Sequence, residues 1–108
     1  MKRGDIVLVA PTGDYGKPRP AVVIQSDRMR ATDSVLLVLM TSALEDAPIY
    51  RLQVEPTSAN SLKRTSQIMI DKVLAMPKHK IGPVIGRLSS DELVALNSML
   101  SAVIGLAD

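Results

Sequence analysis

The sequence predicts an α+β fold, in which a small and strongly curved antiparallel β-sheet, or SH3-like barrel, is completed by one C-terminal α-helix. Short runs of β-branched and aliphatic residues alternate with turn-forming segments over residues 5–76, and the apolar residues change to a helical period after residue 89. Because the chain has 108 residues, we expect one domain, residues 1–108, around a single core.

Five segments in the first part of the chain are predicted as strands. The first is β-branched and is closed by Pro11 and Gly13, and the second begins at Pro20, which is acceptable as the first residue of a strand. The fourth alternates apolar and polar residues, which indicates one solvent-exposed face. The five segments are residues 5–10, 20–26, 34–40, 49–54 and 66–76.

The C-terminal segment has the clearest helix signal. Ser89 and Glu92 have the S-x-x-E spacing of a capping box, which marks the start of the helix, and Gly105 is placed to end it. We expect this helix to cover an open end or a face of the sheet. Its apolar face consists of Leu93, Leu96, Leu100 and Val103.

Composition narrows the class of protein. The chain is 46% hydrophobic and 22% charged and has no cysteine, which excludes disulfides, thiolate metal sites and a cysteine nucleophile. No apolar run approaches the roughly 20 residues of a membrane span, and the N-terminus does not resemble a signal peptide, so we expect a cytoplasmic protein. All Lys and Arg residues precede residue 88, and this excess of positive charge suits a polyanionic partner, although ordinary solvated charge remains the alternative.

The common catalytic signatures are missing. His79 is the only histidine, which excludes acid–base catalysis by a histidine pair, and the sequence has neither metal-ligand spacing nor a glycine-rich phosphate loop. We therefore predict no metal and no cofactor. Tyr15 and Tyr50 are the only aromatic residues, so a nucleic-acid ligand would be held mainly through its phosphates and base edges rather than by stacking.

Arg19 stands between two prolines. Pro18 and Pro20 each fix their own φ and favour extended backbone in the residue before them, so the root of the Arg19 side chain is positioned before any ligand binds. Such a preorganised guanidinium suits a phosphate ligand. The alternative is that the prolines only stiffen the entry of a strand. The other polar residues at a strand end, or in the loop beside one, are Thr41, Ser42 and Asp71.

Five segments, in order along nearly the whole chain, read RGDIVLV, GKPRPAVVIQSD, VLLVLMTS, SQIMIDKV and IGRLSSDELVALNSMLSAVIGL. Together they resemble the MazF/PemK toxins of bacterial toxin–antitoxin systems. The resemblance implies a curved sheet with a C-terminal helix, a homodimer, and a metal-independent, sequence-specific endoribonuclease. Such an enzyme cleaves single-stranded RNA or mRNA through the 2′-hydroxyl and inhibits translation and growth.

The resemblance also implies roles for particular residues. Arg19 matches the arginine of the family's R-P motif and Thr41 matches the threonine that ends the third strand, and these two form the family's catalytic pair. Asp71 matches an acidic residue of a later D-Q-I-R-like motif and is implied as a third catalytic residue, although the sequence after it departs from that motif.

RNA and an antitoxin are the implied partners. We expect a basic groove across the dimer, which an acidic, disordered antitoxin segment would occupy in competition with RNA. For the cations among the predicted RNA contacts, ordinary solvated charge is the alternative. The predicted RNA contacts are Arg3, Lys17, Arg28, Arg30, Ser42, Lys63 and Arg64.

A function of a different class stays open. The related CcdB toxins have a similar fold but bind and poison DNA gyrase without catalysis. They do so through a C-terminal helix that ends in aromatic and hydrophobic residues. This chain ends in SAVIGLAD, without Trp or Phe, which favours the ribonuclease. An inactive relative that only binds RNA or antitoxin is a third alternative.

Overall fold

The computed structural model describes residues 1–10, 17–106 and 108. The predicted turn at Pro11 and Gly13, and also Tyr15, lie outside the described residues. Across the described ranges, no helix is long and apolar enough to cross a bilayer.

Within this part of the chain, six strands are followed by one α-helix. The strands are β1 (Asp5–Val9), β2 (Arg19–Val23), β3 (Ser34–Thr41), β4 (Arg51–Val54), β5 (Ser66–Pro77) and β6 (Ile81–Arg87), and the helix is α1 (Ser90–Val103). The strands form one sheet in the order β4-β5-β3-β2-β1-β6, and every neighbouring pair is antiparallel. The predicted α+β class is confirmed.

The sequence prediction missed strand β6. Its sequence, IGPVIGR, contains two glycines and a proline and most of its residues are exposed, so it shows no apolar alternation. Both glycines are required by close backbone approaches. A Cβ on Gly82 would lie 2.7 Å from the carbonyl oxygen of Leu8, and one on Gly86 would lie 2.5 Å from that of Ala59.

The predicted second strand was too long at its C-terminal end. It ends at Val23 rather than at residue 26, because the Gln25 side chain takes over part of the backbone pairing. The Oε1 of Gln25 accepts a hydrogen bond from the backbone N–H of Leu36 at 3.2 Å, and its Nε2 donates to the carbonyl of Met29 at 2.7 Å.

The connection between β5 and β6 shows why the sheet is strongly curved. These strands lie at the two sides of the run β5-β3-β2-β1-β6, which would be about 19 Å wide if it were flat. Only a 3-10 turn, Lys78–Lys80, joins them, and so short a link cannot span more than about 14 Å. The sheet must therefore curl until the end of β5 approaches the start of β6.

Curling and helix packing produce two apolar clusters, one on each side of the sheet. Successive residues of a strand point to opposite faces, so Ile6 joins the cluster under α1 and Val7 joins the cluster inside the curl. Leu96 of α1 is fully buried against the first cluster. The second contains, among others, Ala21 and Leu37.

The predicted start and end of α1 are confirmed. The Ser89 Oγ accepts a hydrogen bond from the Glu92 N–H at 3.1 Å, and the Glu92 carboxylate accepts one from the Ser89 N–H at 2.8 Å. This is the predicted capping box. Gly105 follows the helix with a φ of 78°, the left-handed conformation that commonly ends a helix.

Candidate active-site groove

Three strand ends and one loop form an open groove of about 180 Å³. The start of β2, the end of β3 and the start of β5 meet here, and the loop between β4 and β5 supplies the remaining wall. The lining residues are Pro18, Arg19, Pro20, Met40, Thr41, Ser42, Leu62, Lys63, Arg64 and Ser66.

Strand register explains why Arg19 and Thr41 share this groove. Ala21 of β2 is paired with Leu39 of β3 in an antiparallel ladder. Continuing that register by two residues sets Arg19 opposite Thr41, and directly opposed residues have Cβ atoms about 4.5–5.5 Å apart. Because both lie two residues from the pair, they also share one face of the sheet. The two residues that were predicted as a catalytic pair are therefore brought together.

The Thr41 hydroxyl is oriented by its own turn. Its Oγ1 accepts a hydrogen bond from the backbone N–H of Ala43 at 3.1 Å. Accepting this bond uses a lone pair and leaves the hydroxyl hydrogen to be donated to a ligand. The side chain of this half-buried residue is thus fixed with its donor available.

A buried polar clamp holds the loop that follows Thr41. Gln67 of β5 is paired with Thr41 and is only 5% exposed. Its Oε1 accepts from the Glu45 N–H at 3.0 Å and from the Arg51 Nη1 at 3.1 Å, and its Nε2 donates to the Glu45 carbonyl at 3.0 Å. The loop between β3 and β4 is therefore tied to the start of β5.

Arg51 completes this clamp. Its Nη1 also donates to the Ala43 carbonyl at 3.1 Å, and its Nη2 lies 3.3 Å from the Glu45 carboxylate. The side chain is 8% exposed, and among the described residues its Nε has no hydrogen-bond partner. Sequence reasoning missed both Arg51 and Gln67. Gln67 offered a signal, because it is a polar residue within an apolar strand, whereas Arg51 fits the alternation of β4 and offered none.

The cations of the groove are Arg19, Lys63 and Arg64, and no carboxylate is among its described lining residues. Lys63 and Arg64 are exposed, and they follow a loop organised around the buried side chain of Asn60. The groove therefore presents positive charge together with hydroxyl donors, which suits a phosphate diester. Among the described residues, no cluster of His, Asp and Glu side chains is arranged as a metal site.

Several predicted site residues lie outside the groove lining. Lys17 is exposed beside Pro18. Asp71 is exposed in the stretch of β5 where the register with β3 shifts, and its carboxylate lies 3.8 Å from the Lys72 ammonium. The predicted contacts Arg28 and Arg30 lie beyond the C-terminal end of β2, whereas Arg19 begins that strand.

Arg3, another predicted RNA contact, has a structural role. Its Nε donates to the Ile24 carbonyl at 2.8 Å, and its backbone N–H donates to the Asp27 carboxylate at 2.8 Å. These bonds hold the loop after β2 against the start of β1. Charge alone therefore did not separate residues at the groove from those near the other end of β2.

Comparison with known proteins agrees with the fold. A family model described as "PemK-like, MazF-like toxin of type II toxin-antitoxin system" matches residues 2–104. A curated protein of Mycolicibacterium smegmatis, "Probable endoribonuclease MazF", is 43% identical over 108 residues, which cover 99% of both chains.

Two solved structures share the fold. "Endoribonuclease in complex with its cognate antitoxin from Mycobacterial species" has a TM-score of 0.81 at 20% identity, with 98% of this chain and 96% of that chain covered. "Mycobacterium tuberculosis toxin MazF-mt6" has a TM-score of 0.80 at 19% identity, with coverages of 94% and 96%.

Proposed function

Because the chain belongs to the PemK-like, MazF-like toxins of type II toxin–antitoxin systems, we propose that it is an endoribonuclease that cleaves single-stranded RNA in the groove between β2, β3 and β5. The observation that carries the proposal is the shared groove of Arg19 and Thr41, lined by cations and hydroxyls. The 43% identity to a probable endoribonuclease over the full chain supports the same reaction class.

The proposed reaction is an intramolecular transfer. The 2′-hydroxyl oxygen attacks the adjacent phosphorus and loses its proton, while the bond from phosphorus to the 5′-oxygen breaks and that oxygen takes up a proton. The products are a 2′,3′-cyclic phosphate and a 5′-hydroxyl. Arg19 binds the non-bridging oxygens and stabilises the charge that develops on them, and the Thr41 hydroxyl donates to one of these oxygens or orients the 2′-hydroxyl.

The groove residues also support a metal-independent reaction. Arg19 supplies charge-assisted donors in a fixed fork, and Lys63 and Arg64 bring further positive charge to the same groove. The proposed role of Asp71 is weaker, because its carboxylate lies outside the groove lining and beside Lys72.

The proposed biological role is that of a toxin. Cleavage of cytoplasmic mRNA at specific sequences would inhibit translation and growth. One related structure is an endoribonuclease bound to its cognate antitoxin. By analogy, we expect a homodimer whose basic groove is occluded by an acidic antitoxin segment, which becomes ordered on binding and competes with RNA.

The experiment is cleavage of a long RNA in EDTA by the wild type and by Arg19→Ala, with the ends identified by mass spectrometry. Loss of one transition-state donor should slow cleavage by about 10²–10³. Arg87→Ala, at an exposed arginine of β6, is the control and should cleave normally. Near-normal cleavage by folded Arg19→Ala would remove this residue from the site. Intact RNA together with inhibited DNA gyrase would favour the gyrase-binding alternative.

A further inference from the structure

The loop between β4 and β5, residues 55–65, forms a rigid arm that ends in two cations of the groove. Lys63 and Arg64 lie at its C-terminal end and line the groove, and β5 begins two residues after Arg64. Long cationic side chains on a mobile loop would have to be ordered when a ligand binds, at a cost in affinity. The hydrogen bonds of the arm remove much of that cost for the backbone.

Asn60 lies at the centre of the arm and is only 1% exposed. Its Oδ1 accepts hydrogen bonds from the N–H groups of Thr57 at 2.9 Å and Leu62 at 3.0 Å. Its Nδ2 donates to the Glu55 carbonyl at 2.8 Å, and its own N–H donates to the Thr57 Oγ1 at 3.1 Å. One buried amide thus fixes the backbone from Glu55 to Leu62, the residue before Lys63.

The arm is also fixed to the barrel. The Arg87 N–H of β6 donates to the Ala59 carbonyl at 3.0 Å, and Gly86 lets the two backbones approach so closely that a Cβ there would lie 2.7 Å from the Cα of Asn60. The two ends of the arm are joined where the Thr65 hydroxyl donates to the Glu55 carboxylate at 2.6 Å. The conformation of the arm is therefore fixed by the buried Asn60 amide, by strand β6 and by the bond between its two ends.

We infer that Asn60 is a positioning residue for RNA binding, which acts by holding Lys63 and Arg64 against phosphates next to the cleaved one. The inference rests on the proposed function. Asn60 itself is buried and touches no RNA, so its effect on affinity must pass through the two cations. An arm with the same cations and a loosened backbone would have to order itself on every binding event.

Binding is measured with an RNA that the wild type cleaves, carrying a 2′-deoxy nucleotide at the mapped cleavage position. Each lost phosphate contact should weaken binding about fivefold at ~0.1 M salt and lower the salt slope by about 0.7. The double variant Lys63→Ala/Arg64→Ala should therefore lose about 25-fold, and Asn60→Ala should lose about 5- to 25-fold. Asn97→Ala, at an exposed asparagine of α1, is the control.

The decisive measurement is the effect of Asn60→Ala in the Lys63→Ala/Arg64→Ala background. If Asn60 acts through the two cations, the third substitution has no further effect on Kd or on the salt slope there. An equal loss in both backgrounds would overturn the inference, as would unchanged binding by folded Asn60→Ala. If Asn60→Ala does not fold, Thr57→Val serves instead, because it removes the Oγ1 that accepts from the Asn60 N–H and leaves the buried amide in place. A wild type that neither binds nor cleaves RNA would refute the proposed function itself.

Discussion

Replacement of Gln67 by leucine is expected to destabilise the protein and to slow cleavage. Leucine has a similar size but removes the three hydrogen bonds that hold Glu45 and Arg51 in the clamp. The loop after β3 then loses its tie to β5. Because the Ala43 N–H is what orients the Thr41 hydroxyl, the loss reaches the proposed catalytic group.

The size of the effect follows from the buried hydrogen bonds of Gln67. Each of the three contributes about 0.5–1.5 kcal/mol, and the buried leucine returns roughly 1 kcal/mol of apolar burial. The expected net loss is about 0.5–3.5 kcal/mol, which lowers the unfolding temperature by roughly 2–28 °C in a domain of this size. Misplacement of Thr41 by about 1 Å should slow cleavage by up to about 10².

Thermal unfolding by circular dichroism measures the first effect, and single-turnover cleavage at a temperature where both proteins are folded measures the second. The control is Gln53→Leu, because Gln53 of β4 is paired with Gln67 but is exposed and makes a single described side-chain hydrogen bond, to Glu55. Its substitution should change stability by less than about 0.5 kcal/mol. If the two variants unfold at the same temperature and cleave at the same rate, the clamp has no role.

Three further substitutions test the framework of the groove, each by urea denaturation. Ser61→Gly should stabilise by up to about 1 kcal/mol, because Ser61 has a φ of 56° and glycine adopts this conformation without strain; no gain would argue against strain at this turn. Gly86→Ala should destabilise by about 1–3 kcal/mol through its clash with the arm, and a neutral result would mean that the arm yields easily. Ser89→Ala should cost about 1 kcal/mol by removing the helix cap, whereas Ser98→Ala on an exposed part of α1 should be neutral. Equal stability of these two serine variants would contradict the capping role.

The sequence predicted those helices and strands that are determined by residues close to one another in the chain. The capping box at Ser89 sets the start of α1 through groups three residues apart, so the sequence alone contains it. The apolar runs of β1, β2, β3 and β5 have the composition of buried strands, and β4 alternates as a strand with one exposed face does. Strand β6 has no such signal. Gly82 and Gly86 are needed because each lies against backbone atoms of residues that are far away in sequence and close in space. The periodicity of apolar residues along the chain cannot predict such contacts, because they form only when the sheet curls.

The same distinction holds for the residues of the candidate site: some could be predicted from the sequence, and others depend on contacts between distant parts of the chain. Arg19 and Thr41 lie at the ends of strands of recognisable pattern, so a resemblance could assign them, and the register then brings them together. Gln67 contacts Glu45 across 22 residues of sequence and Arg51 across 16, and a buried amide looks like any other glutamine until its partners are known. Residue type equally failed to distinguish Arg30 from Arg64, which differ only in where the fold places them.

The two walls of the groove are held by separate hydrogen-bond networks. Gln67 and Arg51 fix the turn that carries Thr41, and Asn60 fixes the arm that carries Lys63 and Arg64. None of the described side-chain hydrogen bonds joins one network to the other, because the first ends on the loop after β3 and the second stays within the loop before β5. Substitutions in separate networks should contribute additively. Damage to the first wall should therefore appear in the rate of the bound complex and damage to the second in affinity, so the two steps are controlled by different side chains.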